Sequence, residues 1–345
     1  MSGTSDNFLL VEESSDDEPE IPKKEETSVK KKEKEPIYHY VTYMCNDRDL
    51  KGVCVLNHCL KKHKCKYGLV CVITERVSPE STKMLTSYGI PLIVINERKI
   101  FESINMKNID SLLEKGWFGK LNILGIHQII EMDKMVYLDA DTFVVNNIDH
   151  LFECTTCADN DIYMCYDMHF SGAENDCYIR KNSFNSGVFI FRPNSNIYSI
   201  AMNLLKKEID NNTLGRDDQY IFNLMHKKKH LNFKELSFAY NLHPTCIKKF
   251  MEYGLHQNYI FHFYGEYKPY LKTNPFCWVT LESLEIAHQW KMEYITMLNE
   301  NKRIISNHGK LFFDEREWQT NFSVKSLKPI KSFIPNVNPS IKLDA

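Results

Sequence analysis

Met135-Val136-Tyr137-Leu138-Asp139-Ala140-Asp141 decides how the rest of the chain is read. Four apolar residues in a row form a short buried strand, and an acidic pair follows at its carboxyl end. Residues at i and i+2 of an extended segment point to the same side, so Asp139 and Asp141 face one way. Upstream, strands are expected at 38–45, 69–73 and 91–95, and helices at 50–63, 79–88 and 121–132. Strand and helix alternate, which predicts an α/β fold with a mostly parallel central sheet flanked by helices. Ligands of such sheets bind beyond the carboxyl ends of the strands, where the acidic pair stands. Downstream the pattern is less regular. Strands are expected at 187–191 and 259–263, and helices at 198–209, 217–228 and 281–298. No internal repeat is visible.

Composition narrows the class. The chain has 345 residues, 43 % of them apolar, and a formal net charge of −2. No overall basic field points to nucleic acid as a partner. No run is long enough to span a bilayer and no secretory signal is visible, so a cytoplasmic location is expected. The eleven cysteines are an odd number, and reduced thiols are expected rather than a disulfide framework. Residues 1–36 read as a disordered charged tail with an acidic block at Glu12, Glu13, Asp16, Asp17, Glu18 and Glu20. Residues 37–300 form the main domain, and 301–345 a partly ordered extension. Cys154 and Cys157 have zinc-ligand spacing, but no second pair follows, and unpaired buried thiols are the favoured reading.

Four local patterns carry candidate chemistry. Asp139 and Asp141 suit a hard divalent cation, whereas a polar exit from the strand is the bland alternative. Two other D-x-D pairs, Asp47/Asp49 and Asp159/Asp161, lack the preceding buried strand. Asn185-Ser186-Gly187 before an apolar strand reads as an ordinary turn, or as an amide and a hydroxyl presented to a sugar. Asp217-Asp218-Gln219 at a helix start reads equally as first-turn acids or as a grip on sugar hydroxyls. His262 lies in an apolar run and is a core histidine or a third metal ligand. Nearby, Gly265 permits close backbone approach and Lys268 can neutralise phosphate.

These elements, in this order, resemble glycosyltransferase family 8, the retaining family that includes glycogenin and galactinol synthase, from about residue 38 to residue 270. The resemblance implies a GT-A type nucleotide-diphospho-sugar transferase fold. It implies Mn²⁺, with Mg²⁺ as the other candidate, held by Asp139, Asp141 and His262. It places Tyr43, Cys45 and Asn46 at the base and ribose of a UDP-sugar, with Cys45 where a threonine is usual. Lys120 falls at donor phosphate, Ala140 within the D-x-D, and Asn185 and Ser186 at the sugar. Asp218 and Gln219 match the family's Asp-Gln near the reacting carbon, and Gly265 and Lys268 its diphosphate clamp. Lys248 stands where glycogenin carries its self-acceptor tyrosine. A hexose, glucose or galactose, would pass to a carbohydrate, polyol or protein acceptor, and a homodimer is compatible with the sequence.

Two other readings compete. A catalytically inactive UDP-sugar-binding or scaffold protein would keep the same fold. A D-x-D-x-T phosphatase needs threonine four residues after the first aspartate, but Phe143 is there and Thr142 is one residue early.

Overall fold

The computed structural model describes residues 35–306 apart from 104, 108, 154–157, 172–175, 216, 253, 255–256, 266–267 and 272–279. The expected Cys154/Cys157 pair, nearly all of the 1–36 tail and most of the 301–345 extension lie outside the described residues.

Nine strands are described: β1 (Tyr38–Met44), β2 (Leu69–Thr74), β3 (Leu92–Ile95), β4 (Lys134–Leu138), β5 (Thr142–Val144), β6 (Asp161–Ser171), β7 (Asp176–Phe191), β8 (Asn232–Glu235) and β9 (Ile260–His262). Seven form one sheet in the order β3-β2-β1-β4-β7-β6-β8. β3, β2, β1 and β4 run parallel, β7 pairs antiparallel with both β4 and β6, and β8 runs parallel to β6. β5 and β9 make a separate antiparallel pair. β2 (Leu-Val-Cys-Val-Ile-Thr) and β4 (Lys-Met-Val-Tyr-Leu) are buried at every position, as strands covered on both faces must be.

The described α-helices are α1 (Leu50–Lys62), α2 (Pro79–Ser87), α3 (Glu97–Ser103), α4 (Ile109–Lys115), α5 (His150–Glu153), α6 (Ser195–Asp210), α7 (Asp218–Lys227), α8 (Ile247–Glu252), α9 (Leu281–Glu300) and α10 (Lys302–Ser306). Two hydrophobic clusters form the core. One gathers Val53 and Leu56 of α1 with Trp290 and Met297 of α9. The other gathers Phe118, Leu121, Phe189 and Phe222. Among the described residues no helix is long and apolar enough to cross a membrane.

The strand order places the site. From β1 the chain winds outward to β2 and β3, then returns so that β4 lies on the other side of β1. A crevice opens between the carboxyl ends of β1 and β4, the switch point of an open α/β sheet.

Three expectations are corrected. The helix expected at 121–132 is a 3₁₀ helix over Phe118–Gln128. Phe118, Leu121 and Leu124 repeat every three residues and are all fully buried, the period a 3₁₀ helix presents on one face. Its start is tied to Gly119, where a Cβ would fall 1.5 Å from Glu97 Oε1 and 2.2 Å from Tyr43 Oη. Asn185-Ser186-Gly187 is no turn: it lies inside the 16-residue β7, which begins well before the strand expected at 187–191. Finally, the cysteines are not all reduced. Cys177 and Cys246 form a disulfide, while Cys45, Cys54, Cys59, Cys65, Cys71 and Cys165 are free thiols.

Candidate active site

A cleft of about 680 Å³ sits at the switch point. It is lined by Tyr43, Cys45, Lys120, Asp139, Ala140, Asp141, Asn185, Ser186, Asp218, Gln219, His262, Gly265 and Lys268, thirteen of the fourteen residues expected from the sequence. Asn46 is the exception. Its side chain accepts from the Arg48 N–H and donates to Cys45 Sγ, capping the turn that leaves β1.

The acidic pair is anchored from several sides. The Asp139 N–H donates to the Gly187 carbonyl of β7 at 2.8 Å. Tyr137 Oη donates to Asp139 Oδ1 at 2.6 Å. The i, i+2 rule that joins Asp139 to Asp141 also puts Tyr137 on that side, so this partner was legible locally. Asp141 is brought to His262 by the β5–β9 pair, in which Thr142 stands opposite His262. His262 Nε2 lies 3.2 Å from Asp141 Oδ1 and 3.6 Å from Asp139 Oδ2. One ligand atom from each of the three residues lies within 4.8 Å of the others. Gly187 makes room for the ring: a Cβ there would fall 1.9 Å from His262 Cε1.

Hydrogen bonds orient the imidazole. Asn185 Oδ1 accepts from the Gly187 N–H and from Asn241 Nδ2, each at 2.9 Å. That turns Asn241 Oδ1 toward His262 Nδ1, 2.8 Å away, so Nδ1 carries the proton. The Nε2 lone pair then faces two carboxylates, an arrangement that asks for a cation between them. Nothing local in the sequence marks Asn241 as a partner of His262.

The cations nearby are committed. Lys120, only 5 % exposed, sits 3.0 Å from both Asp139 Oδ1 and Asp218 Oδ2 and donates to Ser186 Oγ at 3.3 Å. Burial works against its charge, but Asp139 and Asp218 outweigh that and hold the ammonium well above its usual range. Asp218 is pushed up by burial, while Lys120 opposes the shift. Ser186 Oγ donates to Asp218 at 2.8 Å. Asp217 is the N-cap of α7, accepting from the Tyr220 N–H at 3.2 Å. The two neighbouring acids therefore divide the two readings: Asp217 caps the helix and Asp218 faces the cleft. Lys268 pairs with Asp141. Burial would raise the Asp141 carboxyl, but the Lys268 ammonium beside it holds it far below the usual carboxylate range. Three carboxylates thus meet two ammoniums, leaving negative charge in surplus. A hard divalent ion fits this oxygen-and-imidazole donor set.

Sequence reasoning missed Asp167 and Arg180. They stand opposite each other across β6 and β7, with Arg180 Nη1 3.6 Å from Asp167 Oδ2, and both line the cleft.

The model of glycosyl transferase family 8 matches residues 40–274. The chain belongs to glycosyltransferase family 8. Among its relatives, human glycogenin-2 is 28 % identical over 245 residues, covering 68 % of this chain and 44 % of that protein. Galactinol synthase 1 of Solanum lycopersicum is 32 % identical over 180 residues, covering 48 % and 54 % respectively. The chain therefore spans about half the length of these family 8 relatives. Among solved structures, the galactosyltransferase LgtC, in complex with donor and acceptor sugar analogues, superposes with a TM-score of 0.53. It is 16 % identical, over 82 % of this chain and 99 % of LgtC. The glycosyltransferase GlyE of Streptococcus pneumoniae TIGR4 gives a TM-score of 0.50 at 17 % identity, over 76 % of this chain and 63 % of GlyE. At these identities the likeness is one of fold, the GT-A type.

Proposed function

We propose that this family 8 chain is a retaining hexosyltransferase that moves glucose or galactose from a UDP-sugar to a hydroxyl of a carbohydrate, polyol or protein acceptor. The observation that carries this reading is the convergence of Asp139, Asp141 and His262 at the switch-point cleft, with ligand atoms within 4.8 Å of one another. These residues would hold Mn²⁺ or Mg²⁺, which when bound neutralises charge on the leaving diphosphate.

The chain's own groups supply the rest. Lys268, next to Asp141, adds positive charge where the diphosphate departs. Asn185, Ser186 and Gln219 present amides and a hydroxyl to the sugar. Asp218, paired with Lys120 and oriented by Ser186, opposes the positive charge that builds on the anomeric carbon. In the net reaction the bond from that carbon to the diphosphate oxygen breaks. A bond to the acceptor oxygen forms on the same face, and the proton of the acceptor hydroxyl passes to the released diphosphate or to solvent.

Release of free UDP from a panel of UDP-sugars, with Mn²⁺ and with EDTA, tests the proposal. Metal-dependent release from UDP-glucose or UDP-galactose is expected. Tight UDP binding with no release from any donor would instead favour the inactive sugar-nucleotide-binding reading.

A further inference from the structure

The Cys177–Cys246 disulfide lies outside the chemistry described above, yet it braces one wall of the cleft. Cys177 is on β7 three residues before Arg180, opposite the part of β6 that carries Asp167, Met168 and His169. Those three residues and Arg180 line the cleft. Cys246 ends a 3₁₀ turn, Pro244–Cys246, that begins just after His243. The His243 ring packs 4.4 Å from the ring of Tyr264, and Tyr264 Oη donates to the Met168 carbonyl at 3.0 Å. The bridge and the Tyr264 hydrogen bond are thus two fastenings of the β6–β7 hairpin, one covalent and one not. The bridge also closes a chain segment with a sequence separation of 69. Asn185, Ser186, Asp218, Gln219 and Asn241, which form the sugar side of the site and the support of His262, all fall inside that loop.

We propose that Cys177 and Cys246 are a thiol-oxidation site whose bridge sets the grip of the cleft on the sugar part of the donor. In forming the bridge, the two thiols give up two protons and two electrons to a small disulfide such as oxidised glutathione, yielding one S–S bond and two glutathione thiols. A dithiol reverses the exchange. Both residues are buried, Cys177 with 3 % and Cys246 with 0 % exposure, so a reductant reaches the bridge only when β7 at Cys177 and the Pro244–Cys246 turn part locally. A sugar donor held by Asn185 and Ser186, on the same strand as Cys177, opposes that parting. By linkage, whatever a bound donor does to reduction, reduction does in return to donor binding. The proposal rests on the donor reading above, but the state of the bridge can be measured without it.

The test uses the full chain equilibrated in oxidised or reduced glutathione buffer. Non-reducing peptide mass spectrometry should find the Cys177–Cys246 cross-link in the oxidised sample. Hydrogen exchange along β6 and β7 should speed up on reduction. Calorimetry with Mn²⁺ should show affinity for UDP-glucose falling roughly tenfold on reduction, with UDP alone changed less than twofold, since the brace acts on the sugar side. Cys177→Ser with Cys246→Ser should behave like the reduced chain and not respond to dithiothreitol. Reduced wild type provides the same comparison if that variant folds poorly. The inference is overturned if the cross-link is absent, if hairpin exchange is the same in both redox states, or if UDP and UDP-glucose weaken equally. A chain that binds neither ligand in either state defeats the donor reading, and the exchange data still decide whether the brace exists.

Discussion

Asp218 has the most exacting surroundings of any acid in the cleft. It is 7 % exposed, held by Ser186 on one side and by Lys120 on the other. Replacing it with Asn keeps the shape and removes the carboxylate that the proposed reaction sets against the anomeric carbon. Asp218→Asn is expected to slow sugar transfer on the order of 10²- to 10³-fold while UDP affinity stays within a few-fold, read from turnover and calorimetry side by side. Unchanged turnover would remove Asp218 from the chemistry. Asn241 acts one step further out, through His262 Nδ1. With Asn241→Ala the imidazole loses the acceptor that sets its tautomer, so Mn²⁺ affinity should drop about 10- to 100-fold, as seen in a metal-activation titration. Activation at the wild-type metal concentration would show that the ring is oriented by other contacts.

The strands impose a tighter condition. The His262 ring of β9 lies against β7 at Gly187, the position that leaves room for it. A methyl group at 187 cannot coexist with the ring in its present place, since the Cβ would fall 1.9 Å from Cε1. Gly187→Ala should therefore displace the imidazole from the two aspartates and reduce metal-dependent UDP release by about 10²-fold. Circular dichroism should still report a folded sheet. Retained activity in that variant would mean that β9 can move away at little cost.

Across the molecule, the response to pH follows from groups buried in one protonation state. His243 is held neutral, its pKa lowered to about 3 by burial and by the neighbouring His262. Its ordinary value is near 6.5. Below that value the unfolded chain takes up a proton that the folded chain refuses until about pH 3. The His243 contribution is therefore intact above pH 6.5 and declines as pH falls through that window, by on the order of 1 kcal/mol per pH unit. His243→Asn, which keeps an acceptor for Thr245, should flatten this decline in urea titrations at pH 7, 5.5 and 4. An equally steep decline in the variant would assign it to other groups. Asp141 acts differently. Its depressed carboxyl contributes stability above the usual carboxylate range and loses it only in strong acid, so it adds little slope in the same window.

Much of this was written locally. The strand-helix alternation, the buried β4 and the two aspartates at its end follow from apolar runs and the period of two, which need no partner to be recognised. What periodicity and spacing alone could not supply was the set of non-local contacts. Lys120 meets Ser186 across 66 positions, Asp141 meets Lys268 across 127, and Cys177 meets Cys246 across 69. β6 and the outer part of β7 were missed because their alternation is interrupted by polar residues that face the cleft. The helix expected over 121–132 is a 3₁₀ helix over Phe118–Gln128, whose buried residues Phe118, Leu121 and Leu124 repeat every three positions. Local patterning thus determined the scaffold and two of the three residues of the metal-binding group, because periodicity is a property of neighbours along the chain. His262 and Lys268 stood only as candidates until the family resemblance was added, and Lys120 was named through that resemblance alone. How they meet the aspartates was decided by tertiary packing, because those contacts exist only once the strands are laid side by side.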